Sequence, residues 1–192
     1  MKKKLTIVGL IVLLILFLDQ LIKIYTKTNF SPYESTPLIG DWFIMEYIEN
    51  PGMAFGINFD FKYTKLLLTL FRLIASFVIG FYLYNLLTKK SNFILLCCIS
   101  LILAGAIGNV IDSIFYGILF NNSPTDAPFS LFYGQVIDMF YIDIWEGYIP
   151  SSIPLIGGSY LSLWPVFNLA DSYIFTGVAI LLIFQKKFLG EF

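Results

Sequence analysis

Long apolar runs, each closed by charge or by helix-breaking residues, divide the chain. Four of them, at about 5–24, 66–87, 93–114 and 168–184, read as membrane-crossing helices, the fourth at the short end, because ~20 helical residues cross a hydrocarbon core of ~30 Å. Between them lie two mixed stretches, at about 26–65 and 115–167. In the first, Phe43, Ile44, Tyr47 and Ile48 are strand formers within 42–57, and Asn50-Pro51-Gly52 breaks the run as a turn. In the second, Pro150, Pro154, Gly157, Gly158 and Pro165 interrupt a stretch rich in Phe, Tyr and Trp, including Phe129, Tyr133, Trp145 and Trp164, as an interfacial aromatic belt would be. The pattern predicts an all-α membrane protein: one domain over 1–192, with four transmembrane helices and a small β-rich outer, periplasmic region. No internal repeat or low-complexity tract interrupts it.

The positive charges orient these spans. Lys2, Lys3 and Lys4, the pair Lys89 and Lys90, and the pair Lys186 and Lys187 all fall on one side of a four-span bundle. That side is the cytoplasm by the positive-inside rule, so both termini are expected inside and both long loops outside. The first run does not read as a cleaved leader: it is long, it ends in Asp19, Gln20 and Lys23, and no small-residue cleavage site follows.

Composition narrows the chemistry. Of 192 residues 58% are hydrophobic and 13% charged, against about 25% charged in soluble domains, which excludes a soluble monomer. The net charge of −1 says little about partners, and no nucleic-acid partner is expected. The chain has no histidine, and its two cysteines, Cys97 and Cys98, are adjacent in an apolar run. Imidazole bases, Ser–His and Cys–His pairs, zinc sites and disulfide frameworks are thereby set aside, and no metal or cofactor is expected. Acid–base work falls to Asp, Glu, Lys, Tyr or Ser.

Ionisable groups near membrane depth are costly and each needs a reason. Asp19 and Lys23 stand four residues apart, the spacing of an ion pair on one helix face. Asn109 and Asp112 share a side of the third helix with the small residues Ala104 and Gly108, which suits a polar contact between close helices. Asn168 suits the N-cap of the fourth helix, which places Asp171 at the third position, where a carboxylate favours the helix dipole. A structural role accounts for each of these. Asp138 is different: it lies in the apolar segment Val136-Ile137-Asp138-Met139-Phe140 with no evident basic partner. Two carboxylates brought together in an apolar place share a proton, one acting as base on water while the other polarises a carbonyl. Asp138 and Asp171 are therefore the candidate catalytic pair.

Five ordered segments, Leu18-Asp19-Gln20-Leu21-Ile22-Lys23, Glu49-Asn50-Pro51-Gly52-Met53-Ala54-Phe55-Gly56, Gly108-Asn109-Val110-Ile111-Asp112, Val136-Ile137-Asp138 and Phe167-Asn168-Leu169-Ala170-Asp171, resemble the blocks of bacterial lipoprotein signal peptidases (signal peptidase II). The resemblance implies an intramembrane aspartyl endopeptidase of the bacterial inner membrane, its site near the outer face. Its substrate would be a prolipoprotein whose lipobox cysteine carries diacylglycerol, cut before that cysteine. Membrane lipid and globomycin-type peptide inhibitors would be further partners. Asp138 and Asp171 match the catalytic aspartates; Asp19, Lys23, Asn50, Gly108, Asn109, Asp112, Asn168 and Ala170 match supporting positions. Three features depart from the family: Ser113 stands where it often has an arginine, Met53 where it prefers a small residue, and the 143–165 loop is long and aromatic. Arg72, the chain's only arginine, is the expected substitute for the one missing at 113. The residues alone leave rival readings: a small transporter or proton relay, a non-catalytic assembly subunit, or a Ser–Lys peptidase using Lys23 and Ser113.

Overall fold

The structure, a computed structural model, describes residues 2–52, 63–89, 91–153, 157–158, 160–162 and 164–188. Met53 and residues 54–57 of the predicted strand region lie outside them. In chain order the elements are α1 (Lys2–Asn29), β1 (Ser35–Ile39), β2 (Phe43–Asn50), α2 (Thr64–Thr88), α3 (Phe93–Ile111), a single π-helical segment (Asp112–Tyr116), α4 (Gly117–Phe120), β3 (Val136–Ile142), β4 (Glu146–Tyr148), β5 (Tyr160–Ser162), α5 (Leu169–Ile183) and α6 (Gln185–Phe188).

Among the described residues three helices are long and apolar enough to cross a membrane: α1, α2 and the continuous helix Phe93–Phe120. The third therefore runs past its predicted end near 114, through the π-helical segment. The predicted fourth span appears as α5, whose 15 residues make about 22 Å of helix.

α3 is the hub, packing against α1, α2 and α5. Along α1 the buried positions Val8, Ile15, Asp19, Lys23 and Thr26 follow helical spacing. Leu10, Leu13, Leu14 and Phe17 are exposed on it, as are Leu67, Phe71, Ile74 and Phe77 on α2. Apolar side chains outside and polar ones inside is the order expected of helices facing lipid. One apolar cluster, with Val8, Leu83, Leu86, Leu95, Leu96 and Phe188, closes the end where Lys89, Lys186 and Lys187 lie. A second, Met45, Tyr47, Tyr116, Ile137 and Met139, joins the opposite end of the bundle to the sheet.

That sheet has three antiparallel strands in the order β1-β2-β3, and β4 and β5 form a separate antiparallel pair. β2 falls in the predicted strand region; β1, β3 and the β4–β5 pair were not anticipated. Ile48 pairs with Asp138 and Asn50 with Val136, beyond an irregularity between Met45 and Ile48. An isolated bridge between Phe140 and Phe167 then ties β3 to the residue just before the α5 cap.

The approach of α3 to α5 depends on missing side chains. A Cβ on Gly105 would lie 2.4 Å from the Ala170 carbonyl oxygen and 2.7 Å from Ile174 Cγ1, and one on Gly177 would lie 2.7 Å from Ile102 Cγ1. We expect Gly105→Ala to cost about 1–3 kcal/mol through overpacking, read as a melting temperature several degrees lower in detergent. Gly9→Ala, with nothing within 4 Å of the added carbon, is the control and leaves the melting temperature unchanged.

Candidate active site

Asp138 sits on a stretch of β3, Val136–Met139, that is buried at every position, and is itself 3% exposed. The Phe140–Phe167 bridge carries three backbone hydrogen bonds, including Phe140 N to Phe167 O at 2.8 Å and the reciprocal bond at 2.9 Å. It fixes Asn168 beside Asp138. Asn168 caps α5 as its position predicted: its Oδ1 accepts from the Asp171 amide at 2.9 Å, and its own amide donates to Asp171 Oδ2 at 3.3 Å, a reciprocal capping box.

The same asparagine joins the two acids. With its Oδ1 committed to the cap, Asn168 Nδ2 donates to Asp138 Oδ1 at 2.7 Å and to Asn109 Oδ1 at 3.1 Å. Asn109 Nδ2 in turn donates to Asp171 Oδ1 at 2.8 Å. The other oxygen of Asp138 accepts from Asn50 Nδ2 at 2.8 Å, at the end of β2. Gly52 N closes the Asn50-Pro51-Gly52 turn onto Asn50 Oδ1 at 2.7 Å. Capping therefore describes Asp171 incompletely, since its second oxygen is held from α3.

Burial pushes the Asp138 carboxyl up, and the charge of Asp171 pushes it further. The amide donors of Asn50 and Asn168 and the more distant Lys23 pull the other way without cancelling this, and the group reaches about 7. A carboxyl so placed holds a proton near neutral pH, in contact with a network that also holds a second carboxyl.

Beneath this layer lies a charged one. Lys23, 0% exposed, meets Asp19 Oδ2 at 2.9 Å, Asp112 Oδ2 at 2.8 Å and Asn109 Oδ1 at 2.9 Å. Asp19 Oδ1 accepts from the Ala170 amide at 2.9 Å, so α1 supplies a carboxylate to the first turn of α5. Gly108 leaves room for it: a Cβ there would lie 2.5 Å from Asp19 Oδ2. The predicted Asp19–Lys23 pair is thus one side of a triad. Gln20 and Tyr116, absent from the predicted site, complete this layer: Gln20 Nε2 donates to Asp112 Oδ1 at 2.9 Å and its Oε1 accepts from the Tyr116 hydroxyl at 3.0 Å. The one available signal for Gln20 was its polarity inside an apolar run.

Asp138 and Asp171 both line a cavity of about 600 Å³. Asn50, Gly52, Asn109 and Arg72 line it too, so Asp138 has a cation across the cavity that its sequence neighbours do not supply. Part of the lining is aromatic: Trp164 meets Phe167 and Phe175 edge-on, with ring centroids 6.5 and 6.2 Å apart. The structure brings all the sequence-predicted site residues to this one end of the bundle, in two layers.

Apolar helices of membrane-crossing length, with two carboxyls held by neutral amides at one end beside a cavity, define the class of an aspartic-type membrane peptidase. The family model described as signal peptidase (SPase) II matches residues 11–186, and the chain belongs to that family. A lipoprotein signal peptidase of Amoebophilus asiaticus is 48% identical over 179 residues, 92% of this chain and 76% of that protein. One of Porphyromonas gingivalis is 41% identical over 188 residues, 92% of this chain and 81% of its own length. A solved bacterial membrane enzyme shares the fold, with a TM-score of 0.61 over 96% of this chain and 90% of that one, at 24% identity. The protein is thus a bacterial membrane peptidase of the aspartic type.

The charged layer makes its own prediction. Lys23→Met leaves Asp19 and Asp112 buried without their cation, which costs about 3–5 kcal/mol. The variant is expected to lose most of its folded yield in detergent. Lys3→Met is the control, because Lys3 is exposed and an exposed charge contributes about 0–1 kcal/mol.

Proposed function

We propose that the protein removes the signal peptide from bacterial prolipoproteins whose lipobox cysteine already carries diacylglycerol, cutting the peptide bond before that cysteine. The observation that carries this reading is the pair Asp138 and Asp171, joined through Asn168 and facing one cavity with an aromatic wall. The pair enters the reaction with one proton. The ionised carboxylate takes a proton from water as that water attacks the scissile carbonyl, and the protonated carboxyl donates to the carbonyl oxygen. Collapse of the tetrahedral intermediate breaks the C–N bond and passes a proton to the leaving amine of the lipidated cysteine. Asn50, Asn109 and Asn168 orient the two carboxyls. Asp19, Lys23, Gly108, Asp112 and Ala170 hold the helices that carry them.

In this reading the whole chain is one membrane domain with α5 as the fourth span. Both termini are cytoplasmic, and the sheet lies on the outer face. Water reaches the site from that face, while the diacylglyceryl chains stay in the bilayer against the apolar wall near Trp164 and Phe175. Globomycin-type peptides would compete for the same cavity.

Two outcomes test the pair. Asp138→Asn and Asp171→Asn, purified in detergent and given a diacylglyceryl-modified prolipoprotein, are each expected to lose cleavage by at least ~10³-fold while remaining inserted and folded. Retained cleavage by either variant removes that residue from the chemistry. The pH profile tests the shared proton. The Asp138 proton is lost as pH rises through about 7, so kcat/KM is expected to fall about tenfold per pH unit above that value. A profile flat from pH 7 to 9 would contradict the assignment of that proton to Asp138.

A further inference from the structure

α2 carries a polar face that this chemistry leaves unused. Lys65, Thr69, Arg72 and Ser76 recur at helical spacing. Thr69 Oγ1 lies 2.9 Å from both the Lys65 and the Phe132 carbonyls, and the Ser76 hydroxyl donates to the Arg72 carbonyl at 2.9 Å. Arg72 is not satisfied in this way. Among the described residues its guanidinium makes one hydrogen bond, from Nη1 to Ser113 Oγ at 3.2 Å, and no ion pair. A guanidinium has five N–H donors, so most of them are uncommitted in a group that lines the same cavity as Asp138 and Asp171.

The space around it is kept clear. Gly52 has φ +96, and a Cβ there would lie 3.2 and 3.3 Å from Arg72 Nη1 and Nη2 and 2.6 Å from Leu68 Cδ2. Glycine at the end of the Asn50-Pro51-Gly52 turn therefore serves both the backbone angle and access to the guanidinium. The cavity already holds two carboxyls, which disfavour an anionic ligand beside them. A neutral carbonyl oxygen suits the free donors without that repulsion.

We infer that Arg72 binds a carbonyl oxygen of the substrate next to the scissile bond, anchoring the lipopeptide against α2 while the aspartates act on it. The inference rests on the peptidase reading above. The carbonyl belongs either to the peptide main chain or to an ester of the diacylglyceryl group. Ser113, in the π-helical segment after α3, whose Oγ lies at the guanidinium, marks a second position from which an arginine can fill the same space once Arg72 is shortened.

The test measures binding and turnover separately. A fluorescent diacylglyceryl lipopeptide is titrated against Asp138→Asn and against Asp138→Asn with Arg72→Gln. The second is expected to bind about 10- to 100-fold more weakly. In turnover, Arg72→Ala is expected to raise KM with a smaller effect on kcat, and Arg72→Ala with Ser113→Arg to recover most of that loss. An analogue with ether-linked chains separates the carbonyl sources: an undiminished penalty points to the peptide, a vanished one to the ester. Equal affinity of the two binding variants overturns the inference. So does a KM loss that Ser113→Arg does not rescue and that comes with a lower melting temperature. If the wild type binds in an Arg72-dependent way but does not cleave, the peptidase reading falls and the anchor stands.

Discussion

The structure depends on one buried ammonium. Lys23 is enclosed between α1 and α3 with three oxygens around it, from Asp19, Asp112 and Asn109. A lone cation there would be prohibitive, and so would either carboxylate without it. Lipid gives helices little hydrophobic reason to associate, so close packing and interhelical polar contacts must hold the bundle. Here the polar contact reaches a third helix, because Asp19 also accepts the Ala170 amide of α5. The small residues Gly105, Gly108 and Ala170 follow from that closeness.

The cation also sets the orientation of the neutral groups above it. An ammonium only donates, so Asn109 must turn its Oδ1 towards Lys23. Its Nδ2 is left for Asp171. Asn168 is fixed in the same sense from the other side, because the Asp171 amide occupies its Oδ1 and directs its Nδ2 to Asp138. The two acid layers therefore differ in kind. The lower carboxylates have a lysine in contact. The upper ones have amide donors and, across a cavity, a guanidinium not paired with either. Burial and the neighbouring acid raise the Asp138 carboxyl in spite of its amide donors, and the upper layer is the one that lines the cavity.

Much of this was legible in the sequence, and the gaps have physical causes. The spans could be read because lipid-facing helices are apolar over their whole length. The Asn168–Asp171 cap could be read because capping is local. Asp138 stood out for lacking a local explanation. β3 was not recognised as a strand because both its faces are covered, so Val136-Ile137-Asp138-Met139 has no alternation to betray it. β1 was missed because all five of its residues are exposed and carry no pattern. Gln20 and Tyr116 were missed because their partners lie on other helices. The end of the third helix was set too early because a π-helical segment shifts the register without breaking the helix.

The shortness of α5 is what leaves room for the cavity. Its second residue, Ala170, bonds to Asp19, and α1 continues from there to Asn29. That is ten residues, or about 15 Å of helix, so α5 starts well below the end of its neighbour. A full-length fourth helix would fill this recess with its own backbone and side chains. Instead the residue just before the α5 cap, Phe167, is tied to β3 by the Phe140–Phe167 bridge. The recess is bounded by the turn after β2, by Arg72 on α2 and by the aromatic residues before and along α5. The free amides of a helix start lie at its floor, and two of them are already occupied: the Ala170 amide by Asp19 and the Asp171 amide by Asn168. The carboxyls that face the recess are those of Asp138 and Asp171. A helix too short to look like a good membrane span is, at this end of the bundle, the element that gives the carboxyls a cavity to face.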